Sequence, residues 1–466
     1  MDSEAPEPRP SGLEKTLRVF ADVRPGEGPT GILLLLVVFL VLSSYYFVKP
    51  LREGWLAVTE VGGLSKIQIK AYSSFAQSVI LIGVVPLMAW LAGRLPRRTL
   101  LTLSTLIACA CLVVFWFVRP VGDAPSGSML GILFYLWVGA FGVMAVALSW
   151  AFAADLYSLN RGERLLPLVA VGASAGAAGG AWFSEHLVRM GLDTWDLLVA
   201  AIIPLLGALL FVHVVDRRGQ TGVVRHPERR VEPAAPGEEG AFHLIFQNRY
   251  LLLAALLALT VNWVNTNGEN ILFAYLQDTL GDRVREAGLT DPEEIGRLLK
   301  AETTAFYGNL YFWVNLMALV LQAFFASRIV KFGGFVAILF LTPIVSLISY
   351  GMMAVFPAIA LIKLLKIAEN SSNYSLNNTA RQLLWLPTSA TMVYKAKTAI
   401  DTAFVRAGDA LAAVTVLVLS AVLVRPLPAL IGWNVMLVLG WLIIARMLSR
   451  ENRRIVERGA GAADPA

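Results

Sequence analysis

The feature that most limits what this chain can become is a run of roughly 20 apolar residues that recurs about a dozen times between charged or Pro/Gly breaks. Each run can cross a hydrocarbon core about 30 Å thick at about 1.5 Å rise per residue. Spans are expected near 31–56, 71–93, 99–118, 129–154, 164–189, 194–215, 249–279, 304–327, 335–355, 358–386, 394–424 and 427–448. Hydrophobic residues make up 57% of the 466 and charged residues 15%, against about 25% charged in a soluble domain. A water-soluble fold of this length could not hide so much apolar surface. The expected fold class is therefore an all-α polytopic membrane protein, with twelve transmembrane helices in two six-helix halves.

The organisation follows from where the polar stretches fall. Residues 1–30 form an N-terminal segment without the pattern of a signal peptide, in which Leu13 to Val23 could make a short amphipathic helix. The first half covers 31–215, a linker 216–247, the second half 248–448 and a tail 449–466. Twelve spans put both termini on one side, and most Lys and Arg outside the spans lie on that side, so both ends are expected in the cytoplasm. The linker carries Arg217, Arg218, Arg225, Arg229 and Arg230. Asp291-Pro292-Glu293-Glu294 reads as an N-cap and first turn feeding the eighth span. The basic turn Ala92–Arg97 after span two has a counterpart in Ala326–Lys331 after span eight, which supports two parallel halves of major facilitator type, with binding expected at their interface.

Several chemistries are not signalled. Cys109 and Cys111 are two positions apart within one apolar run, and His186, His213, His226 and His243 have no ligand spacing, so no metal is expected. There is no P-loop and no cluster of nucleophile, base and metal ligands, so neither an enzyme nor a cofactor is expected. The lipid bilayer is the expected surrounding, with no nucleic acid as partner, and the chain is expected to be a monomer.

Charge inside the spans carries the functional signal, because a charged side chain at bilayer depth costs about 2.5–3.5 kcal/mol on insertion scales. In span ten Lys363, Lys366, Asn370, Asn373, Asn377 and Arg381 recur every three or four residues, which puts them on one helical stripe, with Glu369 and Asn378 beside it. Span one ends in Lys49-Pro50-Leu51-Arg52-Glu53. Span seven carries Asn262, Asn265, Thr266, Glu269 and Asn270, and span eleven Lys397, Asp401, Arg406 and Asp409. Cations converging near the midplane would bind an anionic solute; the alternative is that each charge pairs with another helix and only locks packing. Gly172, Gly176 and Gly180 in span five read as a close helix contact.

Several segments resemble the nucleotide (ATP/ADP) translocase family of plastids and intracellular bacteria, distant relatives of the major facilitators. Lys49 through Glu53 is similar to that family's basic, basic-acidic motif. Asn160 through Ala173 resembles its turn into span five. Tyr374-Ser375-Leu376 through Arg381, with Pro387, Lys395, Lys397, Ile400-Asp401, Arg406 and Gly408, is the most extensive match. The departures are Arg161 in place of an acid, Asn378 and Gln382 in place of Asp and Glu, and Asp409 in place of a lysine. Arginine outnumbers lysine 29 to 10, a bias of GC-rich genomes, in which a cell making its own ATP has little reason to import it. The resemblance implies a divergent bacterial inner-membrane carrier that alternates access between its halves and moves a nucleotide or another phosphorylated organic anion. Lys49, Arg52, Lys363, Lys366 and Arg381 are the expected anion contacts, joined by Asn370 and Arg406. Glu53, Glu269, Glu369 and Asp401 are the expected counter-charges or ion sites. A major facilitator carrier of an unrelated solute and a transport-inactive scaffold are the alternatives.

Overall fold

The computed structural model of the chain describes residues 11–17, 22–119, 127–156, 159–219, 240–388 and 396–462. Among these, ten stretches are helical, long and apolar enough to cross a membrane. One of them, Pro292–Val355, is 64 residues long, about 96 Å of helix and roughly three hydrocarbon thicknesses. It is two spans. A helix from Pro292 to Val320 continues through a π-helical turn, Leu321–Ala326, into Ser327–Val355, and the chain reverses at Gly334, whose φ of +65° suits a residue without Cβ. A twelfth span escapes a hydropathy criterion because it is so polar: Ile359–Ser372, the π-helical turn Asn373–Asn377, and Asn378–Leu383.

The other spans are Gly28–Val58, Lys66–Arg94, Arg97–Phe117, Gly127–Leu156, Leu159–Arg189 and Asp196–Gly219 in the first half. Arg249–Glu286, Val405–Val422 and Pro426–Ala462 complete the second. Their starts follow local chemistry. The Ser65 and Gln68 side chains form a capping box at span two. Asn248 accepts the Tyr250 and Leu251 amides at span seven, and Asp291 accepts the Glu293 amide ahead of Pro292, as its sequence suggests. Two helices outrun the bilayer: span seven continues to Glu286, and span twelve carries on to Ala462, so the tail from 449 begins as helix. Of the expected N-terminal amphipathic helix, Gly12–Leu17 is helical, residues 22–24 are not, and residues 18–21 lie outside the described set. Most of the expected linker, 220–239, lies outside it too.

Spans one and five pack most intimately. A Cβ added to Gly172, Gly176 or Gly180 would sit 2.7, 2.2 or 2.0 Å from the carbonyl oxygens of Leu35, Phe39 and Ser43, so only glycine allows the two backbones this close. The seam continues into the N-terminal segment. Arg164, at the start of span five, holds the Glu27 carboxylate with both terminal nitrogens, at 3.0 and 2.8 Å, while Leu17 and Val23 bury against Leu165 and Leu168.

The halves have separate hydrophobic cores that interdigitate toward the face opposite the termini. Leu56, Ala57, Ile67, Ile69, Ala71, Tyr135 and Ala181 of the first half join the second half's core, and Ala305 joins the first half's. At this face a Cβ on Gly54 would meet the Thr304 hydroxyl at 2.1 Å and the Lys300 carbonyl at 2.7 Å. Asn309 donates to Glu185 at 2.9 Å, and the Lys300 ammonium lies 5.4 Å from the Trp195 ring.

Candidate functional site

The end of span one supplies the first group of charges. Lys49 is buried at 8% exposure with its ammonium 4.1 Å from the Tyr311 ring, 4.8 Å from Tyr46 and 5.9 Å from Tyr45. Among the described residues no carboxylate lies within ion-pair distance of it. Arg52 stacks on Tyr135 at 4.6 Å and pairs with Glu53 at 3.0 Å. The other Glu53 oxygen accepts from Lys70 at 2.8 Å, and Lys70 reaches across the halves to the Tyr307 hydroxyl at 3.4 Å and lies 4.5 Å from the Phe273 ring.

The second half answers with its own cluster. Lys366, fully buried, pairs with Glu369 at 2.7 Å and with Glu269 at 3.6 Å. The Tyr350 hydroxyl donates to the other Glu369 oxygen at 2.6 Å, and Asn370 donates to Glu269 at 2.9 Å. Gly268 makes this arrangement possible: a Cβ there would lie 2.0 Å from the Tyr350 hydroxyl and 2.6 Å from the Lys366 ammonium. Buried charges are tolerable only when paired and hydrogen-bonded, and every carboxylate of the centre meets that condition.

The expected site residues thus divide. Lys49, Arg52, Glu53, Glu269, Lys366, Glu369 and Asn370 belong to one centre between the halves. Lys363 lies apart from it, its ammonium 5.1 Å from the Phe306 ring. Arg381 pairs with Asp401, and Arg406 pairs with Asp409 at 2.8 Å, where the Thr266 hydroxyl also donates at 2.7 Å. Those two pairs lie toward the terminal face. One reason is the π-helical turn: it shifts the phase of span ten after Asn373, and Asn377 turns back to donate to Asn373 at 2.8 Å.

Exposure of the polar side chains rises along this path, from Glu269 at 23% through Arg381 at 27% to Asp401 at 40%. Polar groups exposed within a helix bundle face water rather than hydrocarbon. Arg381 and Asp401 are thus partly exposed toward the terminal face, whereas the face opposite is closed by the contacts around Gly54 and Asn309. Several partners were not among the sequence expectations, Lys70, Tyr311 and Tyr350 among them. Lys70 precedes the start of span two as read from hydropathy, Tyr311 is one of several aromatics between Phe306 and Trp313, and Tyr350 is a lone aromatic in an apolar run, with no pattern to mark either tyrosine.

No family model matches the sequence. Solved structures share the architecture: the nucleoside transporter NupG (TM-score 0.59, 13% identity, 89% of this chain and 98% of that one) and a bacterial homologue of the iron transporter ferroportin in an inward-facing state (TM-score 0.61, 12% identity, 90% and 98%). A POT family transporter in complex with a thioalcohol-conjugated peptide is as similar (TM-score 0.60, 13% identity, 91% and 96%). At such identities the likeness establishes the fold: this is a multi-pass helical membrane protein of the major facilitator type. Among proteins of known role it is similar to an ATP/ADP carrier. ADP,ATP carrier protein 1 of Chlamydia pneumoniae is 20% identical over 68% of this chain, and the chain spans 66% of that relative, just under two thirds of its length.

Proposed function

We propose that the chain is a secondary transporter of the inner membrane that moves a small organic anion, a nucleotide or another phosphorylated metabolite, by alternating access between its halves, and that it carries out no chemistry on its cargo. The observation behind this reading is Lys49, a buried cation at the interface of the halves that no carboxylate neutralises among the described residues. A buried ammonium held only by aromatic faces is under-compensated, and an anion arriving from the terminal face would complete it. Arg52, Lys366 and Asn370 line the same centre, with Glu53, Glu269 and Glu369 as counter-charges. Arg381, Asp401 and Arg406 would guide the solute in, and Lys363 would act at the opposite end of span ten. If both termini are cytoplasmic, as the Lys and Arg distribution suggests, the terminal face is the cytoplasmic one.

The test is a thermal-shift screen of the purified chain against nucleotides, sugar phosphates, inorganic phosphate and dicarboxylates, followed by counterflow of any stabilising solute in proteoliposomes. A ligand that binds only the folded state raises its unfolding temperature by mass action. A shift that is lost in Lys49→Gln, together with counterflow of the same solute, is the expected result. Stabilisation without counterflow would favour a ligand-binding scaffold, and no shift with any anion sinks the reading.

A further inference from the structure

The charge balance of the centre says what kind of anion it can hold. We infer that the solute carries a single negative charge beside an aromatic or heteroaromatic ring, rather than the several charges of a nucleoside di- or triphosphate. This rests on the reading of the centre as the solute site. Four cations meet there, Lys49, Arg52, Lys70 and Lys366, with three carboxylates, Glu53, Glu269 and Glu369, which leaves a surplus of one positive charge.

That surplus is localised. Arg52 and Lys70 are both committed to Glu53, and Lys366 is shared by Glu269 and Glu369. Withdrawing any of these cations to serve a ligand would leave a carboxylate buried without its partner, the costliest rearrangement the site offers. Lys49 alone can take an anionic group without such a loss. A second and third charge on the ligand would find no free cation in the centre among the described residues. At the mouth Arg381 is matched by Asp401 and Arg406 by Asp409, and Lys397, one helical turn before Asp401, lies outside the centre.

The surroundings of Lys49 describe the rest of the solute. Tyr45, Tyr46 and Tyr311 stand edge to face around the ammonium, with Tyr45 and Tyr46 ring centroids 5.0 Å apart and Tyr46 and Tyr311 6.1 Å apart. Tyr374, on the terminal side, is 39% exposed. Such a collar offers faces and edges to a flat ring. The Asn370 side-chain oxygen is buried and without a hydrogen-bond donor among the described residues, an acceptor left unused in the centre.

The experiment is isothermal titration of the full-length chain in detergent with ATP, ADP, AMP, cyclic AMP and nicotinate. The last two are ring-bearing monoanions. Cyclic AMP or nicotinate should bind at least about tenfold more tightly than ADP or ATP, the scale of one uncompensated charge at this depth. Glu269→Gln removes a carboxylate and should move the AMP-to-cyclic-AMP preference about tenfold toward the dianion. Asn370→Asp adds a carboxylate and should abolish monoanion binding. Both variants are first shown to be folded by thermal unfolding. If ADP or ATP binds the native chain as tightly as the monoanions, or the preference is unmoved in folded Glu269→Gln, the inference is overturned while the transporter reading stands. Absence of binding by all five, together with no shift in the wider anion screen, overturns both.

Discussion

The two halves reach the centre with opposite surpluses. On the first-half side Lys49, Arg52 and Lys70 face only Glu53; on the second-half side Glu269 and Glu369 share Lys366. The means of support differ as well. The first half's cations are steadied by ring faces, Tyr45, Tyr46 and Tyr135 of their own half and Tyr311 of the other, whereas the second half steadies its acids with hydrogen bonds from Tyr350 and Asn370. Ring faces leave an ammonium free to accept an anion, while a directed hydrogen bond to a carboxylate leaves little to spare. The comparison teaches that the second half is built to stay as it is, and the first half to receive.

The largest effect should come from breaking the tighter side. Lys366→Met strands two buried carboxylates and should destabilise the fold by about 3–5 kcal/mol, read as a lowered unfolding temperature in detergent. An unchanged transition would mean that Glu269 and Glu369 are not held as charged partners. On the other side Lys49→Gln should cost about 2 kcal/mol, the worth of the desolvated cation–π contacts it loses, less than Lys366→Met, yet eliminate solute uptake in proteoliposomes; a stability loss as large as that of Lys366→Met would make Lys49 a packing residue. Arg381→Ala breaks a partly exposed pair and should change stability by less than about 1 kcal/mol. Its signature should be a slower rate of solute entry with the final level of uptake preserved.

The smallest effect concerns the N-terminal segment. Backbone amides of Ser11 and Gly26 donate to the Glu14 carboxylate at 2.7 and 2.6 Å, and the Ser11 amide foremost holds its pKa below the ordinary carboxylate value. A group depressed in the folded state adds stability above its unfolded pKa and loses it as pH falls through the folded one. The segment should therefore stay docked at neutral pH and loosen only in acid, below the usual carboxylate range. Hydrogen exchange of the Gly26 amide across pH checks this, and loosening near pH 7 would contradict it.

Much of the architecture could be read in the sequence because lipid imposes a single length and a single polarity on each span. The weak point was also physical. Hydropathy treats a charge as an end, so Lys70 marked the edge of span two although the helix begins at Lys66 and carries it inside. The stripe in span ten assumed uniform α-helical phase. The π-helical turn breaks that phase, leaving Lys366 and Asn370 in the centre and sending Arg381 to Asp401. Which cations would be neutralised was also beyond pattern reading. Glu53 is adjacent to Arg52 in sequence, but its second partner, Lys70, is on another helix, and the Lys366 to Glu269 contact joins spans nearly 100 residues apart.

The glycine seam between spans one and five has a mechanical meaning. Two helices whose backbones touch at Leu35, Phe39 and Ser43 cannot slide past each other, and Arg164 ties their ends through Glu27. They form one stiff beam, resting at its far end on Thr304 through Gly54. From that fulcrum to Gly28 is about 39 Å of helix, so a tilt of about 10° sweeps the free end through roughly 7 Å. A rocking motion too small to disturb the packing at the pivot would open or shut the mouth by more than the width of a side chain.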